Sequence, residues 1–467
     1  MLSHVNESGL WLVNRFLGLT GKQTPQTWTV MQTIMGTAAF AAVLLLSLFV
    51  QRPVSVRRTD GKERTTVPEE FVNWSGSLRF TPGERSAPRT EEEVAAEVRR
   101  AAERGLTVRP VGSGHSSVPL MATDDVLMSL DALTGLVRHD TAARRGAVLP
   151  GTGLADAGRL FAEAGLGMEN LGDVDYQAIA GAIGTGTHGT GLALGNLSST
   201  LVGGRLVTGT GEIFPFGEDA GEDAGEDLVR AAQVSLGSLG VLTSLTLRLV
   251  PAYGLHRLNW CTHIDWVLDH FGELARANRH FDFYWYPRSD DAQVRTLNEP
   301  GREPALVPPG ARLHADETGP GHEIIPNSRD LRFDEMEYML PLEDGLDCFR
   351  EVRKRIKERH RQNVGWRVLV RTVAADEAML SNCTGRPTMT IALLQNNELP
   401  HEEYFADLEP LFLEWGGRPH WGKKHTLTAA GLRPLYPEWD AFQDIRRRLD
   451  PQGVFLNDYL RRLLEET

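Results

Sequence analysis

Cysteine is scarce in this chain. Only Cys261, Cys348 and Cys383 occur among 467 residues. They are odd in number, scattered and without a CxxC pair, which excludes a disulfide framework and a cysteine-built zinc site. Buried, inert thiols are the expectation. Positive charge is also in deficit: 49 Lys and Arg stand against 62 Asp and Glu, a net charge of -13. Phosphate backbones need a concentrated basic face, so a nucleic-acid partner is excluded. The 14 histidines form no HExxH and no spacing with cysteine, so no metal site is expected. At 41% hydrophobic and 24% charged residues, the composition is that of a globular protein. The length calls for two or three domains.

One stretch lacks charge altogether. No Lys, Arg, Asp or Glu lies between Lys22 and Arg52, and Gly36 to Val50 is nearly continuous in apolar and small residues. Extended back to about residue 29 it reaches the roughly 20 residues of a membrane span. A buried helix would show a polar face, and a cleaved signal would start earlier behind a basic region. A transmembrane helix over 29–50 is therefore expected, after an N-terminal segment 1–28. Arg52, Arg57, Arg58, Lys62 and Arg64 follow it, against Arg15 and Lys22 before it. The positive-inside rule then places the large C-terminal portion in the cytoplasm.

Residues 51–70 read as a polar linker. Beyond it, short strands (Leu106 to Val111, Val126 to Leu130, Ala147 to Leu149, Leu201 to Val207, Val241 to Val250) alternate with helices near 90–105, 154–164 and 227–233. The pattern indicates an α+β or α/β domain over 71–251. Its GEDAGEDAGED run, 217–227, predicts a solvated acidic loop rather than a calcium site. From 252 to 440 the strands His280 to Tyr286, Glu335 to Leu340, Val368 to Val373 and Met389 to Leu394 suggest a second, antiparallel sheet covered by helices. The segment 441–467 ends amphipathically and is expected to pack back on the body.

Two glycine clusters carry the chemistry. Gly112-Ser113-Gly114-His115-Ser116-Ser117 ends a strand, where glycine permits a sharp turn and successive N–H groups can face an anion. It is not the Rossmann fingerprint. The second cluster, Gly181 to Gly191, interleaves glycines with Thr185, Thr187, His188 and Thr190. So many glycines disfavour helix and ordinary strand and suit close backbone approach to a large polar cofactor.

With these motifs the chain resembles the aldonolactone and alditol oxidase branch of the vanillyl-alcohol oxidase superfamily, and in particular D-arabinono-1,4-lactone oxidases. The resemblance spans about 70–467. It rests on VGSGHSS, on NLGDVDYQAIAGAIGTGTHGTG (Asn170 to Gly191), and on FYWYP (Phe283 to Pro287). EYMLP (Glu337 to Pro341), RPHWGK (Arg418 to Lys423) and FLNDYLRRL (Phe455 to Leu463) follow in order. It implies an α+β fold: a two-subdomain FAD-binding domain of the PCMH type, then a cap domain with a helix-covered antiparallel sheet.

The resemblance further implies FAD linked covalently through His115. Gly112, Ser113, Gly114, Ser116 and Ser117, with Gly181, Gly184, Thr185, Gly186, Thr187, Gly189 and Gly191, would hold pyrophosphate and ribityl. Val241 would meet the cofactor through its backbone, and His188 would wall the site. Lys423 and Arg371 are the implied catalytic pair, assisting hydride transfer from a substrate CH–OH to the flavin. Where the family carries an acid two residues before that arginine, this chain has Leu369; Ala392 stands in place of a family histidine. These apolar residues favour an apolar or lipid-linked alcohol over a free polyol. Pro150 favours oxygen as acceptor. The rival readings are a membrane-anchored dehydrogenase passing electrons to a quinone, and a flavin-binding protein without turnover.

Overall fold

The computed structural model describes residues 69–221, 225–302, 306–327 and 331–465. The expected membrane segment, 29–50, lies outside them. Among the described residues no helix is long and apolar enough to cross a membrane.

The helix Glu91–Glu103 starts where the Thr90 hydroxyl accepts the Glu93 N–H at 3.2 Å and buries Val94, Ala95, Val98 and Ala101. This cap satisfies one of the donors that a helix start leaves open. The helix shares a core with Val108, Val126 and Met128, which belong to a small parallel sheet of strands Glu84–Ser86, Val126–Ser129 and Val108–Val111. A second sheet is antiparallel and five-stranded, in the order Ile213–Gly217, Leu201–Val207, Val241–Arg248, Arg145–Val148, Leu136–Asp140. The tail returns to the first sheet. Val108 N–H bonds the Val454 carbonyl at 2.8 Å, and the Asn457 amide reaches the carbonyls of Pro119 and Ala122 at 2.9 and 2.7 Å.

The glycine-rich stretch departs from expectation. It opens as a helix, Ile179–Gly184. Ile179, Ala182 and Ile183 are buried in the main core, and that burial offsets the intrinsic cost of glycine in a helix. The acidic run is not wholly a free loop either. Glu218 and Asp219 pair with Arg145 and Arg138, and a helix, Glu226–Gln233, begins inside it.

From Gly254 to Pro419 the chain builds an eight-stranded antiparallel sheet. Period-two alternation gives it two unlike faces. One face presents Trp260, Phe281, Phe283, Trp285, Val368, Val370, Ile391 and Leu393 to the helices Ile264–Ala277, Leu342–Arg355 and Glu402–Glu414. Each such buried apolar side chain contributes roughly 1.5–3 kcal/mol. The opposite face carries Asp282, Tyr284, Leu369, Arg371, Ala392, Leu394, Glu335 and Glu337, and it is the chemical one. Three of its strands pair so that Leu369 faces Ala392 and Ala392 faces Glu337. The three cysteines are buried and free; burial pushes the thiols of Cys348 and Cys383 up to about 12.

Candidate active site

Two cavities adjoin. The first, about 900 Å³ with its open mouth, is walled by residues 112–116, Gly181, Gly184, Thr185, Ser235, Gly237 and Gly240. The Gly114 carbonyl is tied to the Trp74 N–H at 2.8 Å and the Ser116 carbonyl to the Asn73 amide at 3.0 Å, fixing the loop from its outer side. Gly114 adopts φ +64°, and a Cβ there would lie 2.9 Å from the Phe71 ring; a Cβ on Gly112 would lie 2.5 Å from that of Ala178. At Gly181, by contrast, a Cβ would meet nothing within 4 Å, so that side of the helix stands open to the cavity.

Arg109, a residue the sequence did not single out, lies in the wall of this cavity. Its guanidinium donates to the carbonyls of Leu120, Leu236, Gly237 and Phe455 at 2.5–3.0 Å. Burial lowers its pKa to about 9, with Asp450 opposing, so it is a fixed cation at neutral pH. A large anionic ligand fits: backbone within reach, glycine clearance, and buried positive charge.

The second cavity, about 740 Å³ with its mouth, shares His115, Ser116, Gln177 and Thr185 with the first. Ser117, Thr187, His188, Glu335, Leu369, Arg371, Leu394, His420 and Lys423 also line it, together with Trp74 and Phe333. Behind the wall formed by Arg371, His188 and Lys423 lies Glu337, fully buried. One carboxylate oxygen accepts from Arg371 Nη2 at 2.9 Å; the other meets His188 Nε2 at 3.3 Å and the Lys423 ammonium. Lys423 also reaches Glu335 at 2.8 Å. Burial alone would raise the Glu337 pKa, but Lys423, Arg371 and His188 outweigh it and hold the carboxyl well below its usual range. His188 and His420 are pushed down, first by burial and then by Arg371 and Lys423 respectively.

Both expected catalytic residues, Lys423 and Arg371, thus converge on one carboxylate that was not expected. The acid absent at Leu369 is supplied by Glu337, two strands across the sheet. His188, Glu337 and His420 bring three ligand-type atoms within 4.8 Å, but Arg371 and Lys423 already neutralise the carboxylate and would repel a further cation. Of the expected cofactor residues, Gly112, Ser113, Gly114, Gly181 and Gly184 line the first cavity, and Ser117, Thr187 and His188 the second. His115, Ser116 and Thr185 line both. Gly186, Gly189, Gly191 and Val241 lie outside both walls. Gly189 is pressed against Asn170 and Leu171, and the Gly191 N–H bonds the Thr372 carbonyl at 2.8 Å. Val241 is buried in the core beside Val207, while its neighbours Gly240 and Leu242 face the first cavity.

The model of an FAD binding domain matches residues 85–217, and that of D-arabinono-1,4-lactone oxidase matches 245–313 and 310–463. An L-gulono-1,4-lactone dehydrogenase of Mycobacterium tuberculosis is 36% identical over 430 residues, covering 84% of this chain and 99% of the relative. The chain belongs to the D-arabinono-1,4-lactone oxidase family. With that family comes its class, FAD-dependent oxidoreductases acting on CH–OH groups. An alditol oxidase of a Streptomyces species is 32% identical over 434 residues, covering 84% and 99%. The crystal structure of cholesterol oxidase from B. sterolicum shares the fold at a TM-score of 0.74 and 15% identity, covering 88% of this chain and all of that one. Residues 1–49 match a GntP family permease model.

Proposed function

We propose that this protein oxidises the CH–OH group of an aldonolactone with FAD as electron acceptor and oxygen as the terminal one. The observation that carries the reading is the shared wall: His115, Ser116, Gln177 and Thr185 border both the glycine-lined cavity and the charged one. The loop 112–116 with Gly181, Gly184 and Thr185 would hold FAD, joined covalently at His115, and Arg109 would add positive charge beneath the diphosphate. FAD supplies a two-electron acceptor. On the reacting side, Lys423 and Arg371 orient the substrate oxygen, and Glu335 and Glu337 fix both cations in place.

A second reading is a dehydrogenase acting on a more apolar alcohol and passing electrons to a quinone. Leu369, Leu394, Phe333 and Trp74 give the second cavity an apolar side, and the Mycobacterium tuberculosis relative carries the name dehydrogenase. A membrane anchor at 29–50, with the catalytic part cytoplasmic, would suit such an acceptor.

The test is anaerobic mixing of the flavin-loaded protein with L-gulono-1,4-lactone. Bleaching of the flavin band, reversed by air with hydrogen peroxide formed, is the expected result. Bleaching reversed by a quinone but not by air selects the second reading, and no bleaching by this or other aldonolactones sinks the first.

A further inference from the structure

His420 follows directly on the short strand Arg418–Pro419, at the edge of the eight-stranded sheet. Its backbone is pinned on both sides. The N–H donates to the Glu337 carbonyl at 2.9 Å, and the carbonyl accepts the Lys423 N–H at 3.0 Å. The same turn is tied to the glycine loop, because the Ser117 N–H donates to the Gly422 carbonyl at 2.8 Å. A Cβ on Gly422 would lie 3.3 Å from Ser116 Oγ, and Ser116 borders both cavities. His420 itself stands in the wall of the charged cavity.

The turn also fixes the protonation of the ring. Nδ1 accepts the Gly422 N–H at 3.1 Å, so the hydrogen of the neutral imidazole sits on Nε2. An imidazolium would set a second N–H against that of Gly422. The electrostatics act in the same direction. Burial first, then Lys423, with smaller pushes from His188 and Arg371, hold the pKa well below the usual imidazole range against the pull of Glu337. Nε2 meets no hydrogen-bond partner among the described residues. Nor is it sealed in the interior, as both ring nitrogens of His425 are. The surface left to it is cavity wall.

The cations beside it are already matched. Lys423 is held between Glu335 and Glu337, and Arg371 pairs with Glu337. A lactone carbonyl oxygen accepts hydrogen bonds and has none to give, and it loses those it made with water on entering the cavity. An uncharged N–H replaces one of them without disturbing a balance of two cations and two carboxylates. We propose that His420 is a substrate-binding residue whose Nε2–H donates a hydrogen bond to the lactone carbonyl oxygen. Held there, the lactone presents one of its hydroxyls to Lys423 and Arg371. The inference rests on the aldonolactone reading above and adds to it the neutral donor that orients the substrate.

Two substitutions in the full, flavin-loaded chain separate this role from a merely structural one. In His420→Asn the amide oxygen takes the place of Nδ1 and keeps the Gly422 N–H, but the donor at Nε2 is gone. In His420→Gln an amide N–H reaches the place of Nε2, but the bond from Gly422 is given up. The rate of anaerobic flavin bleaching is followed against L-gulono-1,4-lactone concentration. His420→Asn is expected to raise the half-saturating concentration about 3–10-fold, the weight of one uncharged hydrogen bond, with a smaller change in the limiting rate. His420→Gln recovers most of the affinity. The reverse order, with Asn like wild type and Gln weakened, means that His420 only braces the turn, and it overturns the proposal. A loss confined to the limiting rate does the same.

A second measurement needs no substrate. Ring ¹⁵N shifts of His420, assigned by their loss in His420→Gln, are expected to show the hydrogen on Nε2 and a bare Nδ1 between about pH 6 and 9. A hydrogen on Nδ1, or an imidazolium in that range, overturns the proposal. A wild-type protein that the lactone never bleaches counts against the aldonolactone reading itself. Lactone binding is then titrated through the change in flavin absorbance in wild type and both variants. Weaker binding in His420→Asn alone upholds the hydrogen bond, and equal binding in all three, or none, removes it.

Discussion

His115 stands at the junction of the two cavities, enclosed by aromatic rings. The Trp74 ring lies 4.8 Å away between centroids, the Tyr176 ring 5.3 Å away, and the Tyr176 hydroxyl 3.4 Å from Nδ1. Such a cage limits the rotamers of the imidazole, which favours attack at one fixed point over free tumbling. Acid-precipitated wild-type protein is expected to keep its yellow colour, while His115→Ala releases flavin into the supernatant. Colour lost from both proteins would leave the cavity assignment intact and remove the covalent bond. His115 was legible in the sequence because Gly112 and Gly114 just before it mark a sharp turn at a strand end, and because VGSGHSS carries the family resemblance. Glu337 was legible only as part of EYMLP. Nothing local distinguishes it from a surface carboxylate, since its meaning comes from Arg371, Lys423 and His188 arriving from three other segments.

Among the elements, the loop that follows strand Val368–Val373 holds a half-buried carboxylate. Asp376 accepts from Ser381 Oγ at 2.6 Å, Asn196 Nδ2 at 2.8 Å and the Ala378 N–H at 3.1 Å. Burial nevertheless raises its pKa from 3.8 to about 6. The native state therefore binds this proton more tightly than the unfolded chain does. Stability is highest below about pH 4 for this group and declines as pH climbs through about 6, by about 3 kcal/mol in all. Urea unfolding at pH 4.5 and 7 should show that decline in wild type and a flatter response in Asp376→Asn. Equal slopes in the two proteins would mean that Asp376 titrates normally. The helix Ile179–Gly184 belongs to the same scale. Counting glycines argued against a helix there, yet the apolar residues between them had a core to fill.

Across the whole molecule, the eight-stranded sheet acts as a partition. Its helix-covered face is an aromatic core, and its other face lines the charged cavity together with His115, Ser116, Ser117, Thr185, Thr187 and His188. The uncharged run before Arg52 is a separate matter of chain-wide behaviour. Full-length protein made in cells is expected to stay with membranes through carbonate washing. Release by carbonate would reduce the segment to a peripheral contact and weaken the case for a quinone acceptor.

Features that depend on neighbours along the chain were readable without any structure: the capped helix after Thr90, the alternation that makes two-faced strands, and the glycine turn that precedes His115. The ordered motifs of the sequence were enough to mark the family. The tertiary structure decided what depends on register across strands. It set Leu369, Ala392 and Glu337 in one row, so that a carboxylate missing from one strand is replaced from another. It also buried Arg109 in the wall of a cavity and turned both nitrogens of His188 toward oxygen. The physical reason is that pairing and burial set charge, protonation and reach, and these belong to neighbours in space that no local pattern names.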